Sequence, residues 1–203
     1  ESGGAGRVLK ALSAMQKQAG WQTQEFVALS QGLREAPLSL PRHTAAAVLD
    51  SALVRRSNFY APISLLRDKQ EIPLDGIRGD SALLHLHWLN GVTTAQAIRQ
   101  RFPATPLVWT LHDMNPFTGT CHQSLGCDRF SSGCDSCPAV KEIFQKAVVS
   151  NFNKKKLDLQ RSMVALVAPS EWLATRARCS PITENHLVAV IPNPLSAEFL
   201  PRP

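Results

Sequence analysis

No stretch of this 203-residue sequence approaches the roughly 18 consecutive apolar residues that a bilayer-spanning helix needs. No secretory leader pattern is visible either, although the chain opens at Glu1 rather than at methionine, which leaves room for a segment ahead of it. Internal repeats and low-complexity tracts are absent, so solenoid and fibrous architectures are excluded. Charged residues make up 19% and apolar residues 44% of the chain, a balance that argues against disorder. A chain of this length buries roughly 70% of its unfolded surface and folds without covalent staples.

Cysteine is scarce and unevenly placed. Of the five residues, Cys121, Cys127, Cys134 and Cys137 fall close together and Cys179 stands alone. A secreted disulfide framework spreads its cysteines more evenly over a smaller chain, so the pattern points to a reducing compartment. The net charge is +6, from 22 Lys and Arg against 16 Asp and Glu. That favours anionic partners without choosing among them, and a solvated, solubilising surface explains it as well.

Apolar periodicity predicts a helix just after the glycine-rich opening 2–6, with Val8, Leu12, Met15 and Ala19 on one face and Gly20 as its stop. A strand is expected over 25–29, a loop over 30–42, a helix over 44–55, and short helix and loop over 58–80. The run 82–88 reads as a buried strand carrying His85 and His87. Thr93 or Thr94 caps a helix to about Arg101, and 107–111 is the next strand. A Gly-, Cys-, Ser- and Asp-rich loop occupies 113–139, with little apolar core of its own and long enough to be functional or held by something. Two helices follow, near 140–149 and 151–162, the second basic through Lys154, Lys155, Lys156 and Arg161. A strand over 163–168, a helix capped by Ser170 and a last strand over 187–191 complete the pattern, and prolines mark 193–203 as the start of a linker.

Continuous apolar strands alternating with helices predict an α/β fold, a doubly wound Rossmann-like parallel sheet covered on both faces, as one domain over 1–192. A doubly wound fold places a strand ahead of its first glycine-loop helix, so a first strand is expected to be missing from this sequence.

Three segments together carry a family resemblance: SGGAGR at 2–7; LHLHWLNG at 84–91 with VWTLHDMNPFTGTCHQSLGCDRFSSGCDSCPAV at 108–140; and VAPSEWLATRA at 167–177 with VIPNPLSAEFL at 190–200. The chain resembles the N-terminal, acceptor-side domain of family-4 retaining glycosyltransferases of GT-B fold, of the kind found in bacterial capsule, colanic-acid-like or O-antigen synthesis. The resemblance implies transfer of a sugar from a nucleotide-sugar donor to a saccharide or lipid-linked acceptor. It also implies a C-terminal domain that binds the nucleotide, without which this part is inactive. No cofactor is required for catalysis. A cytoplasmic location follows, with peripheral contact at the inner face of the membrane as a further implication, and nucleic acid is not an expected partner. The sequence departs from the family at Asn115, where relatives usually carry Trp, and at Ser196, where Asp is common.

Site residues follow by position. Gly3 and Gly4 open a helix whose N-terminal amides suit a phosphate, with Arg7 in the first turn; a plain tight turn is the alternative. In the family this loop approaches the donor diphosphate. His112 and Asp113 directly follow a strand, where open parallel sheets place their ligand crevice. The resemblance gives His112 a hydrogen bond to the donor sugar and stabilisation of transition-state charge. Asp113 would orient that imidazole or the acceptor hydroxyl, or the pair would simply cap the loop. His87, Trp88 and Asn90, at the end of their strand, and Asn115 are candidates for the acceptor cleft. His85 and His87, two apart on a strand, share a face and would more readily be hydrogen-bonded than ligate a metal.

Cys134-x-x-Cys137 has the spacing of a zinc half-site, and Cys121 and Cys127 complete a candidate structural zinc set with His122 as a substitute ligand; disulfides and free thiols remain open. The basic stretch 154–161 suits the phosphates of a lipid-linked acceptor or an acidic membrane face, or is a solvated helix face. The competing functional reading is a zinc-stabilised module that binds anionic partners without catalysis. Against a nucleic-acid binder, the cysteine spacing fits no standard finger and the basic residues are not interleaved with aromatics.

Overall fold

The computed structural model describes residues 3–26, 63–65, 77, 79–90 and 93–195. The loop expected over 30–42, the helix over 44–55, positions 27–29 of the expected strand and most of 58–80 lie outside these residues. So do residues 196–203, the greater part of the expected linker. Glu25 and Phe26 belong to no regular element.

Four strands form one parallel sheet: β1 (Leu84–His87), β2 (Leu107–Thr110), β3 (Val164–Ala168) and β4 (Val188–Val190), side by side in chain order. Each crossover carries a helix: α2 (Ala95–Arg101), α3 (Gln145–Gln160) and α4 (Glu171–Arg178), with α1 (Gly4–Gln18) ahead of them. Right-handed crossovers that all advance in one direction put their helices on one face, and α2 and α3 are in contact. Accordingly β3 alternates. Val164, Leu166 and Ala168 are buried, while Ala165 and Val167 are half-buried. The four-stranded parallel sheet with a helix in each crossover, and α1 in contact with β1, fits the expected Rossmann-like α/β fold. The described residues do not include the reversal of strand order that a doubly wound sheet requires.

Local signals account for most boundaries. α1 starts at Gly4 with Gly3 as its N-cap and ends at Ala19 and Gly20, whose φ of +88° favours glycine. The Thr94 hydroxyl accepts from the Ala97 amide at 3.1 Å, and the Ser170 hydroxyl from the Leu173 amide at 3.3 Å, so both expected caps form. Arg99 ties α2 to the end of α3 by donating to the carbonyls of Ser162, Thr105 and Met163. The two helices expected over 140–162 are one: a short 3₁₀ turn (Glu142–Phe144) runs into α3. Asn151, which reads as a helix start, instead donates from Nδ2 to the Gly119 carbonyl at 2.6 Å.

The 113–139 segment is less bare than its composition suggests. It holds 3₁₀ turns at Asn115–Phe117 and Arg129–Ser131 and buries Met114, Phe117 and Phe130. The Phe117 and Phe130 rings meet edge to face at 6.0 Å. Gly119 is where it comes nearest to α3: a Cβ there would lie 2.6 Å from Val148 Cγ1 and 3.0 Å from Cys134 Cβ. No helix among the described residues is long and apolar enough to cross a membrane.

Candidate functional site

The parallel register brings the ends of β1 and β2 together, with His87 opposite Thr110. His85 Nε2 and Thr110 Oγ1 are 2.8 Å apart, and His87 Nδ1 and His112 Nε2 are 2.9 Å apart. The His85 and His87 rings lie 4.5 Å apart and those of His87 and His112 5.2 Å. The two histidines of β1 thus share a face, as their alternation predicts, but each spends a nitrogen on β2 or on His112, two residues beyond it.

Burial, with the neighbouring imidazoles behind it, pushes His87 down to about 3, and burial lowers His85 and His112 as well. All three are neutral near pH 7. In the His87–His112 bond one nitrogen donates and the other accepts, which fixes complementary tautomers.

Beside this column lies a cavity of about 80 Å³ lined by Trp88, Asn90, Thr93, Trp109, His112 and Asp113, and floored by α3 through Lys154, Lys155 and Asp158. It sits at the carboxyl ends of β1 and β2, where open parallel sheets bind ligands. It has room for several water-sized groups, such as the hydroxyls of a ligand. Asn90 Oδ1 and Thr93 Oγ1 are buried there without a hydrogen-bond partner among the described residues. A buried acceptor or hydroxyl left unpaired costs about 1–3 kcal/mol, so both favour a ligand that carries hydroxyls.

Asp113 does not orient His112. Its Oδ1 accepts the Asn115 amide at 2.8 Å, and its Oδ2 lies 2.6 Å from His122 Nδ1. His122 Nε2 in turn lies 2.8 Å from Ser64 Oγ and 3.3 Å from Asn90 Nδ2. With Nδ1–H donating to the carboxylate, Nε2 accepts from both. The Trp88 ring stacks on His122, centroids 5.1 Å apart and planes within 13°. Trp88 holds φ at +31°, which is uncommon for a bulky residue and clusters at functional sites. Lys155 Nζ donates to the Asn115 carbonyl at 2.9 Å and to its Oδ1 at 3.0 Å, and Asn115 Nδ2 donates to the Thr120 carbonyl.

Trp88, Asn90, His112, Asp113 and Asn115 therefore share one cavity wall, whereas His87 stands behind His112 and does not line it. Gly3, Gly4 and Arg7 are exposed and lie outside the cavity, with open space around both glycines. Of the basic stretch, Lys154 and Lys155 face the cavity and Lys156 pairs with Glu184 at 3.6 Å. His122, named from the sequence only as a substitute metal ligand, turns out to organise the wall. No periodicity marks it, since Asp113 and Ser64 reach it through loops. Asp158 was also missed. Its signal was helical spacing from Lys154, and burial raises its carboxyl.

The four clustered cysteines line a second, smaller cavity of about 20 Å³. Burial raises the thiols of Cys121 to about 11, Cys134 to about 12, and Cys137 upward. His122 does not line this cavity. Among the described residues no three or more His, Cys, Asp or Glu side chains stand in a metal-holding array.

No family model matches the chain, and no solved structure does. Over 86 residues it is 33% identical to a protein of Escherichia coli (strain K12) named as a candidate colanic acid biosynthesis glycosyl transferase, WcaC. That match covers 41% of this chain and 19% of the other, so the chain matches about a fifth of its relative's length. The chain is thus an α/β protein with a four-stranded parallel sheet, and it is similar over part of its length to a protein named as a glycosyl transferase of polysaccharide synthesis.

Proposed function

We propose that this chain is the acceptor-side half of a retaining glycosyltransferase of GT-B type. In this reading a nucleotide-sugar donor, held mainly by a second Rossmann-like domain, meets a saccharide or lipid-linked acceptor over the ends of β1 and β2. The supporting observation is the 80 Å³ cavity at those strand ends, with an aromatic platform, neutral His112, and Asn90 Oδ1 and Thr93 Oγ1, buried without a partner among the described residues. Aromatic faces and unpaired hydroxyl partners suit a saccharide. The partial similarity to a named glycosyl transferase points the same way.

In the transfer, the bond from the sugar's anomeric carbon to the leaving phosphate oxygen breaks. The acceptor oxygen bonds to that carbon, and its proton passes to the departing phosphate oxygen. His112 has Nε2 engaged with His87, which leaves Nδ1 for the donor sugar. Held neutral, it offers a fixed dipole where charge develops, without a charge of its own to desolvate. The proposed role for Asp113 is to hold His122 and, through the stacked ring, the Trp88 platform. Gly3, Gly4 and Arg7 are proposed to meet the donor diphosphate from this side, and Lys154 a phosphate of a lipid-linked acceptor. The proposed location is the cytoplasm, at the inner face of the membrane.

Saccharide titration followed by the indole resonances tests the reading. Oligosaccharides are expected to shift Trp88 and Trp109, and Trp88→Ala to weaken binding at least tenfold. Salt-sensitive binding of nucleic acid with no saccharide response would instead favour the non-catalytic module.

A further inference from the structure

The cysteine-lined cavity stands apart from this chemistry. We propose that Cys121, Cys127, Cys134 and Cys137 bind one zinc ion through four sulfurs, and that the ion pins the 113–139 segment that carries Asp113, Asn115 and His122. The site does not depend on the transferase reading.

Two observations support it beyond spacing. All four side chains, within a span of 17 residues, reach one void of about 20 Å³ walled by Phe130 and Val148. That space has room for a single ion among the four sulfurs. Backbone amides are also aimed at the sulfurs. Gly119 N–H donates to Cys134 Sγ at 3.2 Å and the Ala139 amide donates to the Cys137 thiol, while Val140 N–H donates to the Cys137 carbonyl at 3.4 Å. Such donors favour the thiolate that zinc requires.

The turn that presents the last pair holds Cys134 and Ser136 at positive φ, a conformation that non-glycine residues keep only where the surroundings impose it. Protonated thiols pack as small apolar groups. On binding, Zn²⁺ replaces four S–H protons, which pass to solvent, and the sulfurs close to about 2.3 Å around it. Arg129, which lines the same cavity, faces the resulting net charge of −2. Soft thiolate ligands in tetrahedral array select zinc among the common divalent ions.

The test is metal analysis and thiol counting on the purified chain, kept reduced and supplied with zinc. The expected result is one zinc per chain, with Cys179, the exposed cysteine, as the only thiol that reacts rapidly. An organomercurial should then release the zinc as the remaining thiols titrate. Because a cysteine variant may misfold, cobalt substitution provides a second reading, with the absorption of a tetrahedral cobalt tetrathiolate expected. Disulfides among the four, five freely reactive thiols without metal, or bound iron would each overturn the proposal.

Discussion

Asp113 Oδ2 and His122 Nδ1 approach to 2.6 Å, both largely buried, and this contact rather than one to His112 fixes the wall of the cavity. The pair joins the end of β2 to a loop nine residues on and, through His122 Nε2, to Ser64 and Asn90.

Asp113→Asn should therefore disturb His122, not His112. The amide removes the charged acceptor, and a hydrogen bond to a charged group contributes about 1.5–3 kcal/mol. Thermal unfolding should fall accordingly. The ¹⁵N shifts of His122 should report a changed tautomer while those of His112 stay put. A change confined to His112 would refute the assignment.

Stability should drop as pH falls. His85, His87 and His112 have folded pKa values below the ordinary 6.5. The unfolded chain therefore binds more protons below that pH, and their contribution is fully present above about 6.5 and lost as pH falls towards 3. For His87, at about 3, the loss by pH 5 is about 1–2 kcal/mol after allowance for its residual solvent contact. Urea midpoints between pH 7.5 and 5 should decline, and His87→Asn should flatten the slope. A flat profile in the parent protein would contradict this.

Gly119→Ala should destabilise by about 1–3 kcal/mol. The cause is steric, since the new methyl would meet Val148 Cγ1 at 2.6 Å. The double variant Gly119→Ala with Val148→Ala should regain stability relative to the sum of the two single losses. Simple additivity in a thermal-melt cycle would argue against the contact.

The regular elements were legible in the sequence because each has a local cause. Thr94 and Ser170 cap helices, Gly20 stops one, and short apolar runs make β2 and β3. The cavity was legible where it borders a strand end, at Trp88, Asn90, His112 and Asp113, and through the family resemblance at Asn115. His122 stayed hidden because its partners, Ser64 and Asn90, are 58 and 32 residues away and no period links them. The continuity of α3 was obscured by Asn151, whose side chain has a tertiary partner that sequence spacing does not reveal.

The central claim is tested most directly by a transfer assay on the longest reading frame that contains these residues. It would be supplied with a panel of nucleotide sugars and saccharide or lipid-linked acceptors, with the product's anomeric configuration read by NMR. The account predicts transfer with retention, and a loss of about 10²–10³ in kcat for His112→Ala with the fold intact. Inversion at the anomeric carbon, or transfer indifferent to His112→Ala, would contradict it.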